Sequence, residues 1–173
     1  MDKKRYIKFS LIGGAFLLVS FLLIQVVIKL NHKEEVKEKL SHLPNVELQD
    51  LSGDKTKLHD FILDEKIILA YINTECGICT DQMQAFKNVL PQLKNTSIIL
   101  VSGQDIDSLK NYKTKNKIFK NPKIQLTHDY TEHFYMEFDI KATPHILMYD
   151  ENGELLLNHK GYLKAEKILE ILE

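Results

Sequence analysis

The only two cysteines of the 173-residue chain stand two residues apart, as Cys76-Gly77-Ile78-Cys79, after an apolar β-type run and at the start of a helical pattern. That arrangement narrows the chemistry before anything else does. With no third cysteine, a structural disulfide elsewhere and a four-cysteine zinc site are excluded. The pair bonds to itself, to a partner or to a metal. At a helix N-terminus Cys76 meets unpaired N–H groups and partial positive charge, both of which stabilise the attacking thiolate. The spacing puts Cys79 about one turn later, near enough to close a small disulfide ring. Cys76 is therefore expected to be the exposed attacking thiol and Cys79 the buried resolving one.

The pattern around the motif alternates strands and helices. Val46–Leu48 and Thr56–Leu58 flank a Ser-Gly turn and predict a β-hairpin. Lys66–Ile72 (KIILAYI) and Ser97–Ser102 (SIILVS) are short, β-branched apolar runs of the kind that make buried central strands. Cys76 to about Leu93 has helical spacing, with Pro91 expected to kink it late or end it. Asp105 to about Phe119 predicts a helix, Lys123–Thr127 a strand, and Thr131–Phe138 a short helix. Ile146–Tyr149 and Leu155–Asn158 are strands joined by the Glu151-Asn152-Gly153 turn, and Ala165–Leu172 closes the chain as a helix. This order predicts an α/β domain with a central mixed sheet and helices on both faces.

Phe9–Ile28 is an uncharged apolar run, long enough as a helix to span about 30 Å of hydrocarbon. It exceeds the apolar core of a signal peptide and ends without an A-x-A-like cleavage site. No cysteine near its end could carry a lipid. One transmembrane helix is therefore expected over 9–28. The basic cluster Lys3, Lys4, Arg5 and Lys8 favours a cytoplasmic N-terminus over 1–8 and an extracytoplasmic, periplasm-like location for the rest. Residues 29–44 read as a polar linker ending at Pro44, and 45–173 as the folded domain. The formal net charge is −1 and the lysines read as dispersed among acids, so nothing argues for nucleic acid as a partner.

The segments VELQDLSGDKTKLHDF, IILAYINTECGICTDQM and KATPHILMYDENGELLLNHKGY give the region from Asn45 a resemblance to the thioredoxin superfamily. Within it, the chain resembles the membrane-anchored TlpA/ResA-like branch. The resemblance implies a thioredoxin-like fold with an N-terminal β-hairpin and a central insertion over Asp105–Asp129. It implies dithiol–disulfide exchange with protein thiol and disulfide substrates, no cofactor, and a membrane thiol-reductase as electron donor. It places Pro144 in the cis form against the cysteine pair, although a cis X–Pro bond is otherwise an uncommon state. It assigns the backbone of Thr143 to pairing with an extended substrate segment, with Pro144, Gly77 and Ile78 alongside.

Three positions depart from that family's pattern. Glu75 stands where Trp usually precedes the first cysteine, Ile78 where Pro is often found, and Ala70 where thioredoxin proper buries an Asp. A Glu75 carboxylate about 6 Å from the Cys76 sulfur would repel a thiolate by about 0.7 kcal/mol in a watery site. That lowers the potential by only about 15 mV, in the direction of a reductant. His145 is a second candidate modulator, though strand alternation turns it towards solvent or a helix. The competing reading is a copper chaperone using Cys76, Cys79 and His145, since two thiolates suit Cu(I). His128 and His133 are too poorly spaced to share a helical face, so no metal site is expected from them. A peroxidase needs Thr three positions before its cysteine, and here that residue is Asn73.

Overall fold

The computed structural model describes the backbone of residues 3–61 and 65–173, with side chains described in helix α1 at 13, 14 and from 16 onward. The chain divides into two compact units, 1–39 and 40–173. The first is the single helix α1 (Lys3–Lys39). Among the described residues, Phe16–Lys39 is long and apolar enough to be a candidate membrane span, which by length and composition also fits a signal sequence. The side chains of Lys3, Lys4, Arg5 and Lys8, on which orientation rests, lie outside the described residues, as do those of 9–12.

The second unit is an α/β domain built on β1 (Glu47–Gln49), β2 (Lys55–Lys57), β3 (Lys66–Tyr71), β4 (Thr96–Ser102), β5 (Ile124–His128), β6 (His145–Tyr149) and β7 (Leu155–Lys160). These form one sheet in the order β2-β1-β5-β4-β3-β6-β7. β3, β4 and β5 run parallel, while β1, β6 and β7 are antiparallel to their neighbours. The parallel strands are the apolar runs, because helices α2 (Gly77–Val89) and α3 (Ile106–Lys115) cross between them and bury a sheet face. α5 (Ala165–Leu172) joins α2 on that face, where Ile68, Ala70, Ile98, Leu100, Ile146 and Met148 meet Met83, Phe86, Leu109 and Ile168. On the other face α4 (His133–Glu137) brings Phe134 onto Tyr71 at 5.9 Å and Phe138 onto Phe134 at 4.1 Å between ring centroids. The mixed sheet, the hairpin and the inserted α3–β5 unit are as expected from the sequence.

Three local boundaries differ from expectation, each for a physical reason. Helix α2 stops at Val89, short of Leu93, and Pro91 ends it as the sequence allowed, having no N–H to continue the ladder. Leu93 instead donates back to Val89 and Leu90 in a tightened turn. The expected helix over 105–119 breaks at Asn116, whose extended φ of −108° and ψ of 113° separates α3 from a 3-10 turn at Lys117–Lys120. The polar stretch 29–39 belongs to α1. The compact domain begins at Leu40, ahead of Asn45, because Leu40 and Leu43 are buried in it and Leu43 N–H donates to Gly153 O at 2.8 Å. Gly153 takes a positive φ of 77° there, which closes the β6–β7 turn around the Asp150 carboxylate.

Candidate active site

The site lies where β3 ends and α2 begins, at the carboxyl end of the parallel strands. After Tyr71 the chain turns through Asn73-Thr74-Glu75, and three contacts hold the turn. Cys76 N–H donates to Asn73 O at 3.2 Å, Glu75 N–H to Asn73 Oδ1 at 2.8 Å, and Thr74 N–H to Gln104 Oε1 at 2.7 Å. Cys76 occupies the N-cap of α2 with extended φ −85° and ψ 120°, and no side-chain oxygen caps this helix. The Cys76 sulfur is therefore the group that faces the first-turn N–H donors. The helix follows from its pattern: Cys79, Met83 and Phe86 are buried along one face, while Asp81, Gln84 and Lys87 point outward.

The two thiols are unbonded and differ sharply in environment. Cys76 is partly exposed, and its thiol lies below the usual range, chiefly because the backbone N–H of Cys79 faces its sulfur. Contacts with the Cys79 thiol, the Ile78 N–H and Thr143 act in the same direction, against a smaller cost of burial. Cys79 is buried, 2 % exposed, and burial pushes its thiol up to about 11. The two environments thus push the sulfurs apart, that of Cys76 towards the thiolate and that of Cys79 towards the protonated thiol. Ala70 packs in the cluster that contains Cys79, so an apolar methyl stands where thioredoxin proper has a carboxylate.

Thr143 and Pro144 come to this pair from the start of β6. The Thr143–Pro144 peptide bond is cis, and the Cys76 thiol donates to Thr143 O at 3.8 Å. Pro144 O accepts Gly161 N–H at 2.8 Å, which ties the turn to the end of β7. Gly77 and Ile78 are exposed on the first turn of α2, Ile78 at 52 %. Glu75 is exposed, and its carboxylate is not among the leading influences on Cys76.

His145 does not join the cysteines, and it does not point to solvent. It is fully buried, with Nε2 placed 2.6 Å from Asn158 Oδ1. Alternation puts it on the sheet face opposite Ile146, the β6 residue that packs in the Cys79 cluster. Its burial holds the imidazole below its usual range. A copper site built on Cys76, Cys79 and His145 therefore has only two of its three ligands together. Among the described residues no group of three or more His, Cys, Asp or Glu side chains is placed to hold a metal ion.

Two features beside the motif were not read from the sequence. Gln104 supports the turn before Cys76, and its Oε1 also accepts the Ser102 hydroxyl at 3.3 Å. Beyond it, Tyr71, Gly103, Tyr135 and Thr143 line a cleft of about 350 Å³. A Cβ at Gly103 would meet Tyr71 Oη at 2.8 Å, so any larger residue there has to displace that hydroxyl. The available signal was topological: Ser102-Gly103-Gln104 ends a parallel strand next to the one that ends at the motif, where ligands of open α/β sheets collect.

Residues 40–158 match the AhpC/TSA family. The chain belongs to that family. Solved structures share the fold of this AhpC/TSA family member at low identity. The exposed lipoprotein thioredoxin Etrx1 of Streptococcus pneumoniae is 18 % identical with a TM-score of 0.61, over 75 % of this chain and 98 % of its own. StoA of Bacillus subtilis is 16 % identical with a TM-score of 0.61, over 77 % and 99 %. A thiol:disulfide interchange protein DsbE from Chlorobium tepidum is 20 % identical with a TM-score of 0.63, over 77 % and 96 %. At such identities the likeness speaks to the thioredoxin-like fold. Comparison with curated proteins gives no significant match.

Proposed function

We propose that this AhpC/TSA family member is a membrane-anchored thiol–disulfide oxidoreductase of the TlpA/ResA-like kind, acting outside the cytoplasm to reduce disulfides in protein substrates. The observation that carries this reading is the asymmetry of the pair. Cys76 sits at a helix N-terminus with its thiol lowered and its sulfur beside Thr143, and Cys79 is buried behind it with its thiol at about 11.

In the proposed reaction the Cys76 thiolate attacks one sulfur of a substrate disulfide. The substrate S–S bond breaks, a Cys76–substrate disulfide forms, and the departing thiolate takes a proton from water. Cys79 then loses its proton to water, since Ala70 supplies no carboxylate, and its thiolate attacks the Cys76 sulfur. The second substrate thiolate leaves, and the Cys76–Cys79 disulfide holds the two-electron oxidation. A membrane thiol-reductase restores the dithiol. The backbone of Thr143, whose carbonyl lies 3.8 Å from the attacking sulfur, pairs with an extended substrate segment, with Pro144, Gly77 and Ile78 alongside. Helix α1 serves as the anchor, with the N-terminus in the cytoplasm.

The test is the midpoint potential of the full chain in detergent, read by thiol alkylation across defined redox buffers. A two-electron transition at or below about −250 mV places it with reductants, while a value near −120 mV makes it an oxidant. Absence of any Cys76–Cys79 disulfide removes the oxidoreductase reading and favours Cu(I) binding by the two thiolates.

A further inference from the structure

Between Asp107 and Asp129 the chain carries Lys110, Lys113, Lys115, Lys117, Lys120 and Lys123 and no acidic residue. This corrects the view of lysines dispersed among acids, and the fold gives the cluster a shape. A groove of about 640 Å³ runs between α2 and the segment that links α3 to β5. Its floor is apolar, formed by Met83, Leu90, Tyr112 and Ile118. Lysines stand on both walls, Lys87 from α2 and Lys117 and Lys120 from the 3-10 turn, all three exposed. Lys123 is engaged elsewhere, donating to Leu93 O at 2.6 Å. Among the described residues, Lys87, Lys117 and Lys120 have no carboxylate partner and no acidic side chain lines the groove. The α2 carboxylate, Asp81, does not line the groove; it lies on the adjoining flank of the helix with Asn88 and Tyr162.

The groove begins one helical turn along α2 from the nucleophile. Its near end is Thr80, whose N–H and hydroxyl both reach Cys76 O, at 3.1 Å and 3.4 Å. Tyr112 in the floor is half-buried, and burial first and the nearby Cys79 second hold its phenol above the usual range. We propose that this groove docks an acidic, apolar-studded segment of the protein whose disulfide Cys76 attacks. The segment's leucine- or phenylalanine-type side chains cover the floor and its carboxylates meet the three lysines. The inference rests on the oxidoreductase reading above, and it adds the chemistry by which the partner is selected. On a chain of net charge −1, a one-sign patch beside the nucleophile steers acidic partners and rejects basic ones. Concavity and an apolar floor favour a peptide segment over a flat lipid headgroup layer.

The test uses the full chain in detergent and a fluorescein-labelled peptide of about a dozen residues that alternates Glu and Leu, with a Lys-for-Glu counterpart. Binding is read by anisotropy. The acidic peptide is expected to bind at least about tenfold more tightly than the basic one at about 20 mM salt, and to lose that preference near about 500 mM. The combined Lys87→Gln, Lys117→Gln and Lys120→Gln variant is expected to abolish the preference while its reaction with a small aromatic disulfide stays unchanged. Equal binding of the two peptides, or a preference kept by the triple variant, overturns the groove. So does a lysine effect that appears only in phosphatidylglycerol vesicles and not in phosphatidylcholine vesicles, which would make the patch a lipid contact. The small-disulfide reaction reads the thiols alone, so its absence counts against the oxidoreductase reading and leaves the peptide result standing.

Discussion

The side-chain carbonyl of Gln104 accepts the backbone N–H of Thr74 at 2.7 Å and so fixes, from the end of β4, the turn that delivers Cys76 to its helix. Replacing Gln104 by Ala removes a hydrogen bond worth about 1 kcal/mol and frees the turn. The expected result is a pH profile for Cys76 alkylation displaced towards the ordinary thiol range, with Cys79 still protected. Gln104→Glu keeps the acceptor and is expected to recover the stability lost in Gln104→Ala, while its added carboxylate still displaces the Cys76 profile upward. A profile unmoved by Gln104→Ala would show that the turn holds itself.

The buried thiol of Cys79 makes the reduced protein sensitive to alkali. Its pKa rises from 9.0 to about 11 on folding, so within that window the native state holds a proton that the unfolded state has released. Stability from this group is complete below pH 9.0 and is lost as pH climbs towards about 11. Denaturant melts of the reduced chain at pH 8 to 11 are expected to show this decline, and Cys79→Ala is expected to flatten it. An equal decline in the variant would assign the loss to other groups, such as Tyr71, whose burial raises it to about 12.

Gly103 has no room for a side chain. A Cβ there would sit 2.8 Å from Tyr71 Oη, and Tyr71 is packed against Phe134 and Tyr135. Gly103→Ala is expected to destabilise the domain by about 1–3 kcal/mol, the range for overpacking a core. Chemical denaturation measures it. In Gly103→Ala combined with Tyr71→Phe, which lacks the hydroxyl, most of that cost should disappear.

Asp129 is 1 % exposed and accepts the N–H groups of Phe134 and Tyr135 at 3.0 and 2.9 Å, capping a helix that the left-handed Glu132 cannot cap. Asp129→Ala orphans both donors, at about 1–3 kcal/mol for each one left unsatisfied. Asp129→Asn keeps one acceptor oxygen and is expected to cost less. If the two variants unfold at the same denaturant concentration, the carboxylate is not the cap.

The parts legible in the sequence were those with a period or a punctuation mark. KIILAYI and SIILVS read as buried strands because both their faces are covered, and the cysteine spacing carried the site because a helix N-terminus and one turn of helix dictate it. Pro144 was visible as a proline opening a strand, but its cis form rested on resemblance. What stayed hidden depended on contacts between distant segments. Gln104 lies thirty positions from Thr74, and no local pattern marks one as the other's support. His145 followed the alternation rule onto the far face, yet its burial depends on the neighbouring layer, which the strand alone does not specify. The lysine groove was overlooked because net charge averages over the chain, whereas the fold gathers three cations from two separate elements.

The ends of the sheet bear on how these molecules behave when crowded side by side. On one edge β2 is only three residues long, Lys55-Thr56-Lys57, with the Lys55 ammonium paired to Glu47 at 3.1 Å, so it offers a second copy a short, charged margin. On the other, the start of β7 is covered by the chain's own entry segment, with Leu155 N–H donating to Ser41 O and His42 bridging to Glu154. A stray strand seeking to lengthen the sheet meets a short, charged margin on one side and finds the opening of the other already taken. Crowded copies therefore find little open sheet edge at which to begin zipping into ribbons.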